Sequence, residues 1–483
     1  MFTKKYLIRK LFLIHRWMGI CLCLLMASWC ASGIVMLWRP WPQPSATALA
    51  HVHPLLKFPE NFSRIRNIVD AGRRFSHARL TMVGEIPVLV LQAEQGGAQV
   101  LNLASGKEGF LSAEITAASA RSYLQARHVS DHVIFDKLTT DDQWILNSRD
   151  RSEGFYRFHA NDAGGNQVYV SRVTGDVGQA TDKTTRRWAW FGAIPHWIYP
   201  AILRRHPALW HDVVIILSGS GVFLTITGLS VGFLRLKKVW PFSVYRGWHL
   251  FHHICGTVSG LMALAWITSG FLTMNPAGLF QGQKPSLWQD RLSGYVTGSD
   301  IVGILLDVAA KRSWEQKQTD WQEVDVVPLG GHPFLVLHHA DGRVERFARD
   351  ATPVVLTAAS LEEALQNQNF FDPDARIVSL DKADDYYFDR PLKKRRFPVL
   401  RAAAPEGTLL YIDAQSGELS AVLDTAARHS RWLVYGVHDL DFFVWLRSAA
   451  AMWMLVLPAL CGVMALYVSA IVLAVRRLRR TLR

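Results

Sequence analysis

Cysteine is scarce in this chain of 483 residues: Cys21, Cys23, Cys30, Cys255 and Cys461 are the only five. All of them fall inside long apolar runs, so the stretches between those runs carry no disulfide framework. Cys21 and Cys23 are two apart, on different faces of any helix, and read as small packing residues rather than a metal pair. Charge is scarce as well, at 19% of the residues. That is low for a soluble protein. No Walker loop, GxSxG elbow, HExxH helix or CxxC pair occurs, which removes the common signatures of nucleotide hydrolases, serine hydrolases, zinc peptidases and thiol oxidoreductases. "GSGVFLTITG" at 219 resembles a dinucleotide fingerprint only in its glycines. It has no strand–turn–helix context and reads as helix packing.

What the chain has is hydrophobicity, at 50% of its residues. Four runs, 17–38, 213–234, 254–276 and 448–475, contain no charge. Each has the roughly 20 residues a helix needs to cross hydrocarbon. The first is too long for a cleaved signal peptide and is read as a retained span. The net charge is +13, yet its placement argues against a nucleic-acid partner. Lys4, Lys5, Arg9, Lys10 and Arg16 precede or open the first run. Arg235, Lys237, Lys238 and Arg246 lie between the second and third, and Arg476, Arg477, Arg479, Arg480 and Arg483 follow the fourth. Elsewhere basic and acidic residues nearly cancel. This is a positive-inside pattern. It predicts a bacterial inner-membrane protein, in contact with lipid, with both termini cytoplasmic and two large periplasmic segments.

The resulting division is a cytoplasmic N-terminus and first span (1–38), an outer domain (39–210), a second span (211–236) and a cytoplasmic loop (237–251). A third span (252–276), a second outer domain (277–447), a fourth span (448–475) and a basic tail (476–483) follow. The two outer domains repeat each other. "IPVLVLQ" at 86 returns as "HPFLVLHH" at 332, "TAASARSYL" at 116 as "TAASLEEAL" at 357, and "VYVSRVTGDVGQATD" at 168 as "LYIDAQSGELSAVLD" at 410. "RRWAWFGAIPH" at 186 matches "SRWLVYGVHD" at 430. The elements keep their order, so the chain is an internal duplication of one unit: helix, outer domain, helix. Alternating apolar and polar residues with Gly-containing turns predict antiparallel strands around one short helix per copy, an α+β domain. Ser119 and Ser360 are expected to cap or begin those helices, and the acidic pairs Asp141/Asp142 and Asp384/Asp385 to be solvated turn residues.

Histidine is the remaining residue type with chemistry. His15, His249, His252 and His253 sit at the cytoplasmic ends of spans; His196, His206, His211 and His438 sit near the outer ends. Ionisable groups at such depths are costly unless paired, bound or wet. Duplication makes His15 equivalent to His252 and His196 equivalent to His438. Two equivalent imidazoles facing one axis can ligate one metal from opposite sides, as the two axial ligands of a haem iron do. His249, His252 and His253 share one helical face, so two of them cannot clasp the same haem. His249, His253 and His211, which aligns with Met452, are second-choice ligands. Interface anchoring is the simpler role for any one of these rings.

"HRWMG" and "HLFHHICG" at the span openings, "YVSRVTGDV" and "YIDAQSGEL" at the strand ends, and "RRWAWFGAIPHW" and "SRWLVYGVHDL" before the return helices resemble the PepSY-associated transmembrane family. The resemblance covers nearly the whole chain. It implies four spans with two periplasmic PepSY-like domains. For members associated with iron uptake it implies haem b, one or two per chain, and reduction of a ferric siderophore to release Fe(II). Carried over, the haem ligands are His15, His252, His196 and His438. The substrate is then a ferric siderophore or other periplasmic ferric chelate, and the electron donor a cytoplasmic protein or a quinol. "PLKKRRF" (391–397) is a candidate for orienting an anionic chelate. Two other function classes fit the same architecture: a non-enzymatic protein whose PepSY domains bind a partner or regulate a peptidase, and a transport accessory with histidine proton relays.

Overall fold

The computed structural model describes residues 4–94, 96–146, 152–240, 242–282, 285–310, 320–350, 352–365, 376–390 and 394–482. The chain divides into two compact units, and each draws on both copies of the duplication. A helical unit takes Met1–Trp41, Thr184–Gln281 and Ala426–Arg483; a strand-rich unit takes Pro42–Lys183 and Gly282–Thr425.

Four long helices build the helical unit: α1 (Lys4–Trp38), α2 (Pro207–Leu234), α3 (Gly247–Thr273) and α4 (Leu457–Thr481). The apolar stretch of α4 begins earlier, at Ala449, and passes through wide π-type turns at Met452–Val456. Each of the four is long and apolar enough to cross a membrane, which marks a membrane-spanning protein. α1 and α3 each pack against α2 and α4, so α1 and α3 stand diagonally across the bundle. Met26, Ala263 and Val463 fill its centre. Small residues set the close approaches: a Cβ on Gly221 would meet Ile267 at 3.0 Å, and one on Gly260 would meet Leu229 at 2.7 Å.

In the strand-rich unit the first copy supplies β1 (Arg74–Val83), β2 (Ile86–Ala93), β3 (Ala98–Asn102), β4 (Lys107–Glu108), β5 (Ile134–Thr139), β6 (Phe155–His159), β7 (Gln167–Ser171) and β8 (Val177–Thr181). The second supplies β9 (Val296–Thr297), β10 (Trp321–Leu329), β11 (His332–His339), β12 (Val344–Phe347), β13 (Val378–Leu380), β14 (Val399–Ala404), β15 (Thr408–Asp413) and β16 (Leu419–Leu423). Each copy is α+β, as its pattern predicts, with its own antiparallel four-stranded sheet, β5–β8 or β13–β16. The sequence does not show that the copies also share a sheet. β1 and β10 pair antiparallel, Arg79 opposite Asp325, and join the order β12-β11-β10-β1-β2-β3-β4. One face of it, with Leu80, Leu89, Val324, Val326, Leu335 and Leu337, packs on the helix Gly298–Ala310 through Ile301, Ile304 and Leu305.

The β1–β2 and β10–β11 hairpins turn on equivalent glycines. Gly84 and Gly330 both have φ of +59°, and a side chain on either would also strike the short helix of its own copy, at Ala118 or Ala364. Those helices correct the capping expectation. The first begins three residues before the repeated motif: Ser112 caps Ala113–Ala126, and Ser119 is buried inside it. In the second, Thr357 and Ser360 cap each other's backbone N–H at 3.1 and 2.8 Å, with Ser360 in the first turn.

Asp142 and Asp384 are likewise not solvated turn residues. Asp142 is 7% exposed and accepts from the Tyr169 hydroxyl at 2.8 Å and from Arg157 at 2.8 Å. Asp384 accepts from the Tyr411 hydroxyl at 2.7 Å, from Arg401 at 3.0 Å and from the backbone amides of Tyr386 and Tyr387. Each is the polar hub of its copy's four-stranded sheet. A buried carboxylate of this kind is sustained by its donors.

Candidate functional site

His15 on α1 and His252 on α3 face each other across the bundle, with ring centres 6.4 Å apart and planes inclined by 36°. A second pair forms outside the long helices. His196, on the short helix Ala193–Trp197, and His438, on Val437–Asp439, have ring centres 6.1 Å apart and planes inclined by 62°. The two-residue difference between "GAIPH" and "GVH" is absorbed before the histidine. The first copy breaks its helix at Gly192 and restarts; the second runs on through wide π-type turns over Arg431–Gly436. Both then end on a left-handed residue two places after the histidine, Ile198 or Leu440.

Each ring is held by a hydroxyl from the neighbouring helix. Nδ1 of His252 lies 2.9 Å from Ser469 Oγ, and Nδ1 of His15 lies 3.4 Å from Thr227 Oγ1. Nδ1 of His196 lies 3.2 Å from Ser32 Oγ, and Nδ1 of His438 lies 3.0 Å from Ser269 Oγ. Every one of these hydroxyls donates its single proton to the carbonyl three residues back: Ser469 to Leu466, Thr227 to Leu224, Ser32 to Trp29 and Ser269 to Trp266. A hydroxyl has one proton, so toward the imidazole it can only accept. The hydrogen sits on Nδ1 in all four rings, and Nε2 keeps its lone pair. For His196 the carbonyl of Trp29, 3.2 Å from Nδ1, requires the same tautomer.

This is the outer-shell arrangement that orients metal-ligating histidines. The spacing fits as well. Metal–imidazole bonds are about 2.0–2.1 Å; with about 1.1 Å from nitrogen to ring centre, two trans rings lie roughly 6.3 Å apart. Among the described residues, no third His, Cys, Asp or Glu forms a close ligand set with either pair. A bare ion would have two protein ligands, whereas a haem brings four equatorial nitrogens and needs two axial ones. Glycines leave room beside the rings. Gly19 and Gly256 follow His15 and His252 by four residues, one turn along the same face. A Cβ on Gly228 would lie 2.7 Å from Cε1 of His15, and one on Gly33 would lie 3.2 Å from Cε1 of His196. Burial, and then the neighbouring His438, pushes His196 down to about 4; burial pushes His438 down too. Neutral rings are what ligation requires.

The second-choice histidines are placed differently. His253 donates from Nε2 to the Gly232 carbonyl at 2.8 Å and has Ser243 Oγ 2.7 Å from Nδ1, so neither nitrogen is free. His249 stacks on Tyr245. His211 donates from Nε2 to the Met274 carbonyl at 3.0 Å, which occupies the nitrogen a pairing with Met452 would use. Within "PLKKRRF", 391–393 lie outside the described residues. Lys394 pairs with Asp389, and Arg395 lies over the Tyr387 ring and donates to the Ser420 carbonyl. The residues that sequence reasoning missed are Ser32, Thr227, Ser269 and Ser469. A signal existed: they are polar positions in apolar runs, and they repeat between the copies, Ser32/Ser269 at the offset of His15/His252 on the same two helices and Thr227/Ser469 at the offset of His196/His438.

Neither a protein-family model nor a curated protein matches this chain.

Proposed function

We propose that the protein is an inner-membrane haem-b oxidoreductase that delivers electrons across the membrane to a periplasmic ferric chelate, a siderophore complex by its resemblance to the PepSY-associated family. One observation carries this reading. Four imidazoles are fixed in the Nδ1–H tautomer by twinned hydroxyls, and they meet in two pairs at the separation two axial ligands require. Each ring keeps an unprotonated Nε2 in an apolar bundle, and an acceptor left unsatisfied there is costly. His15 and His252 would hold one haem, His196 and His438 the other. Bound there, haem supplies reversible one-electron chemistry.

The chain's own part is position and insulation. Ser32 is 17 residues beyond His15 on α1, about 26 Å along the helix, so the two pairs stand near opposite ends of the bundle. The basic residues before α1, between α2 and α3 and at the end of α4 support a cytoplasmic assignment of the His15/His252 end. On this reading the long segments between the spans are periplasmic and would bind the ferric chelate. A partner-binding or peptidase-regulating role would leave both histidine pairs and their hydroxyls without a purpose.

The test is spectroscopic, then kinetic. Protein produced with ample haem supply should show reduced b-type bands at two haems per chain. Under anaerobic conditions the reduced protein should release Fe(II) from at least one member of a panel of ferric siderophores. A colourless protein would refute the reading; a haem protein inert to every ferric chelate would refute the substrate.

A further inference from the structure

The shared sheet carries a second constellation, built by strand register. Glu323 and Asp325 alternate along β10 and so project from the same face. Register sets His338 of β11 opposite Glu323, and Arg79 of β1 opposite Asp325, with His77 two residues from Arg79 on that face. Three potential ligands, Glu323, Asp325 and His338, therefore converge within 4.8 Å of one another, and His77 reaches Asp325 from the neighbouring strand. His338 Nε2 lies 3.1 Å from Asp325 Oδ2 and 3.8 Å from Glu323 Oε1, and His77 Nε2 lies 3.6 Å from Asp325 Oδ2.

Two features distinguish this group from an ordinary ion-pair network. First, Asp325 is 5% exposed, yet its Oδ1 is buried without a hydrogen-bond partner, and so is His77 Nε2. A buried carboxylate oxygen and a buried ring nitrogen are both costly when unsatisfied. Second, the donor separations bracket the edge of a tetrahedron around an ion with bonds of about 2.1 Å, roughly 3.4 Å. Two of the three exceed hydrogen-bond length. Glu323, Asp325 and Asp176 surround the guanidinium of Arg79, which engages Asp176 and the other oxygen of Glu323. The side chains of His77 and His338 are 28% and 24% exposed, which leaves an entry path.

We propose that Glu323, Asp325 and His338 form a binding site for one divalent first-row transition ion, of the Zn2+ or Fe2+ class that mixed imidazole and carboxylate donors select, with His77 beside Asp325 at its edge. Arg79 positions Glu323 and keeps its second oxygen out of the site.

The site draws on the strand-rich unit alone, so its test is independent of haem. Purified full-length protein in detergent, stripped with chelator, is titrated with ZnCl2, and anaerobically with Fe2+, by calorimetry. Bound metal is counted after dialysis, and thermal unfolding is followed with and without metal. The expected result is one ion per chain and a metal-dependent rise in unfolding temperature. His338→Ala and the milder His338→Gln should each weaken binding at least tenfold, with unchanged far-ultraviolet circular dichroism and gel-filtration elution reporting an intact fold. Absence of saturable binding by wild type up to millimolar metal overturns the proposal, whatever the variants do. So does equal binding by wild type and His338→Gln.

Discussion

Ser469 Oγ stands 2.9 Å from Nδ1 of His252 and 2.6 Å from the carbonyl oxygen of Leu466, three residues back on its own helix. The carbonyl takes the hydroxyl proton, so the imidazole must give its own. One serine on α4 thus sets the tautomer of a histidine on α3. Ser469→Ala should lower haem affinity at that site by about 10- to 100-fold. Ser469→Thr should restore it. Haem retention during dilution, followed in the visible spectrum, measures both.

The pairing makes a sharper statement. His15→Ala and His252→Ala should each remove the same haem, and His196→Ala and His438→Ala the other, so that haem per chain falls by half in each single variant. His15→Ala combined with His252→Ala should lose no more than either alone. His253→Gln should keep both haems, because neither nitrogen of His253 is available. Potentiometric titration of the reduced bands, resolving two midpoints in wild type and one in each variant, decides the assignment.

Gly228 tests the fit from the backbone side. A methyl group there would lie 2.7 Å from the His15 ring, closer than contact allows. Gly228→Ala should displace that ring and weaken or abolish the haem shared with His252, leaving the His196/His438 spectrum unchanged. Gly33→Ala presses on His196 more gently, at 3.2 Å, and should broaden or shift the other haem's bands without removing it.

Acid should loosen the β13–β16 sheet around Asp384. Burial alone would raise Asp384; the hydrogen bonds from Tyr411, the Tyr387 and Tyr386 amides and Arg401 outweigh it and hold the carboxyl below its usual range. A depressed carboxylate adds stability above its unfolded value of about 3.9, and that stability is lost as pH falls through the folded value. Asp384→Asn should cost about 1–3 kcal/mol near neutrality and flatten the acid limb of the stability curve. Denaturant unfolding across pH 2 to 7, read by tyrosine fluorescence, shows whether the acid-dependent part disappears in the variant.

The four apolar helices, the duplication and the paired histidine positions were legible because each is a linear pattern: a run without charge, a repeat at constant spacing, one residue type at matching places. The expected strands at 86, 98, 332 and 344 are strands for the same reason. What was not legible depends on register or on the far ends of side chains. Asp142 and Asp384 looked like turn residues because they sit among polar neighbours, and only the folded sheet brings tyrosine and arginine to them. Nothing local to "EVD" at 323 or "HH" at 338 says that β1 will lie beside β10. Nor does anything local to Ser32, Thr227, Ser269 or Ser469 single out their hydroxyls. Their significance needs a partner on another helix.

That antiparallel seam between Arg79 and Asp325 has a consequence for biogenesis. β1 leaves the ribosome roughly 240 residues before β10, with two further apolar helices made in between, so its outer edge waits bare through much of synthesis. An unpaired edge of that kind recruits any strand offered to it.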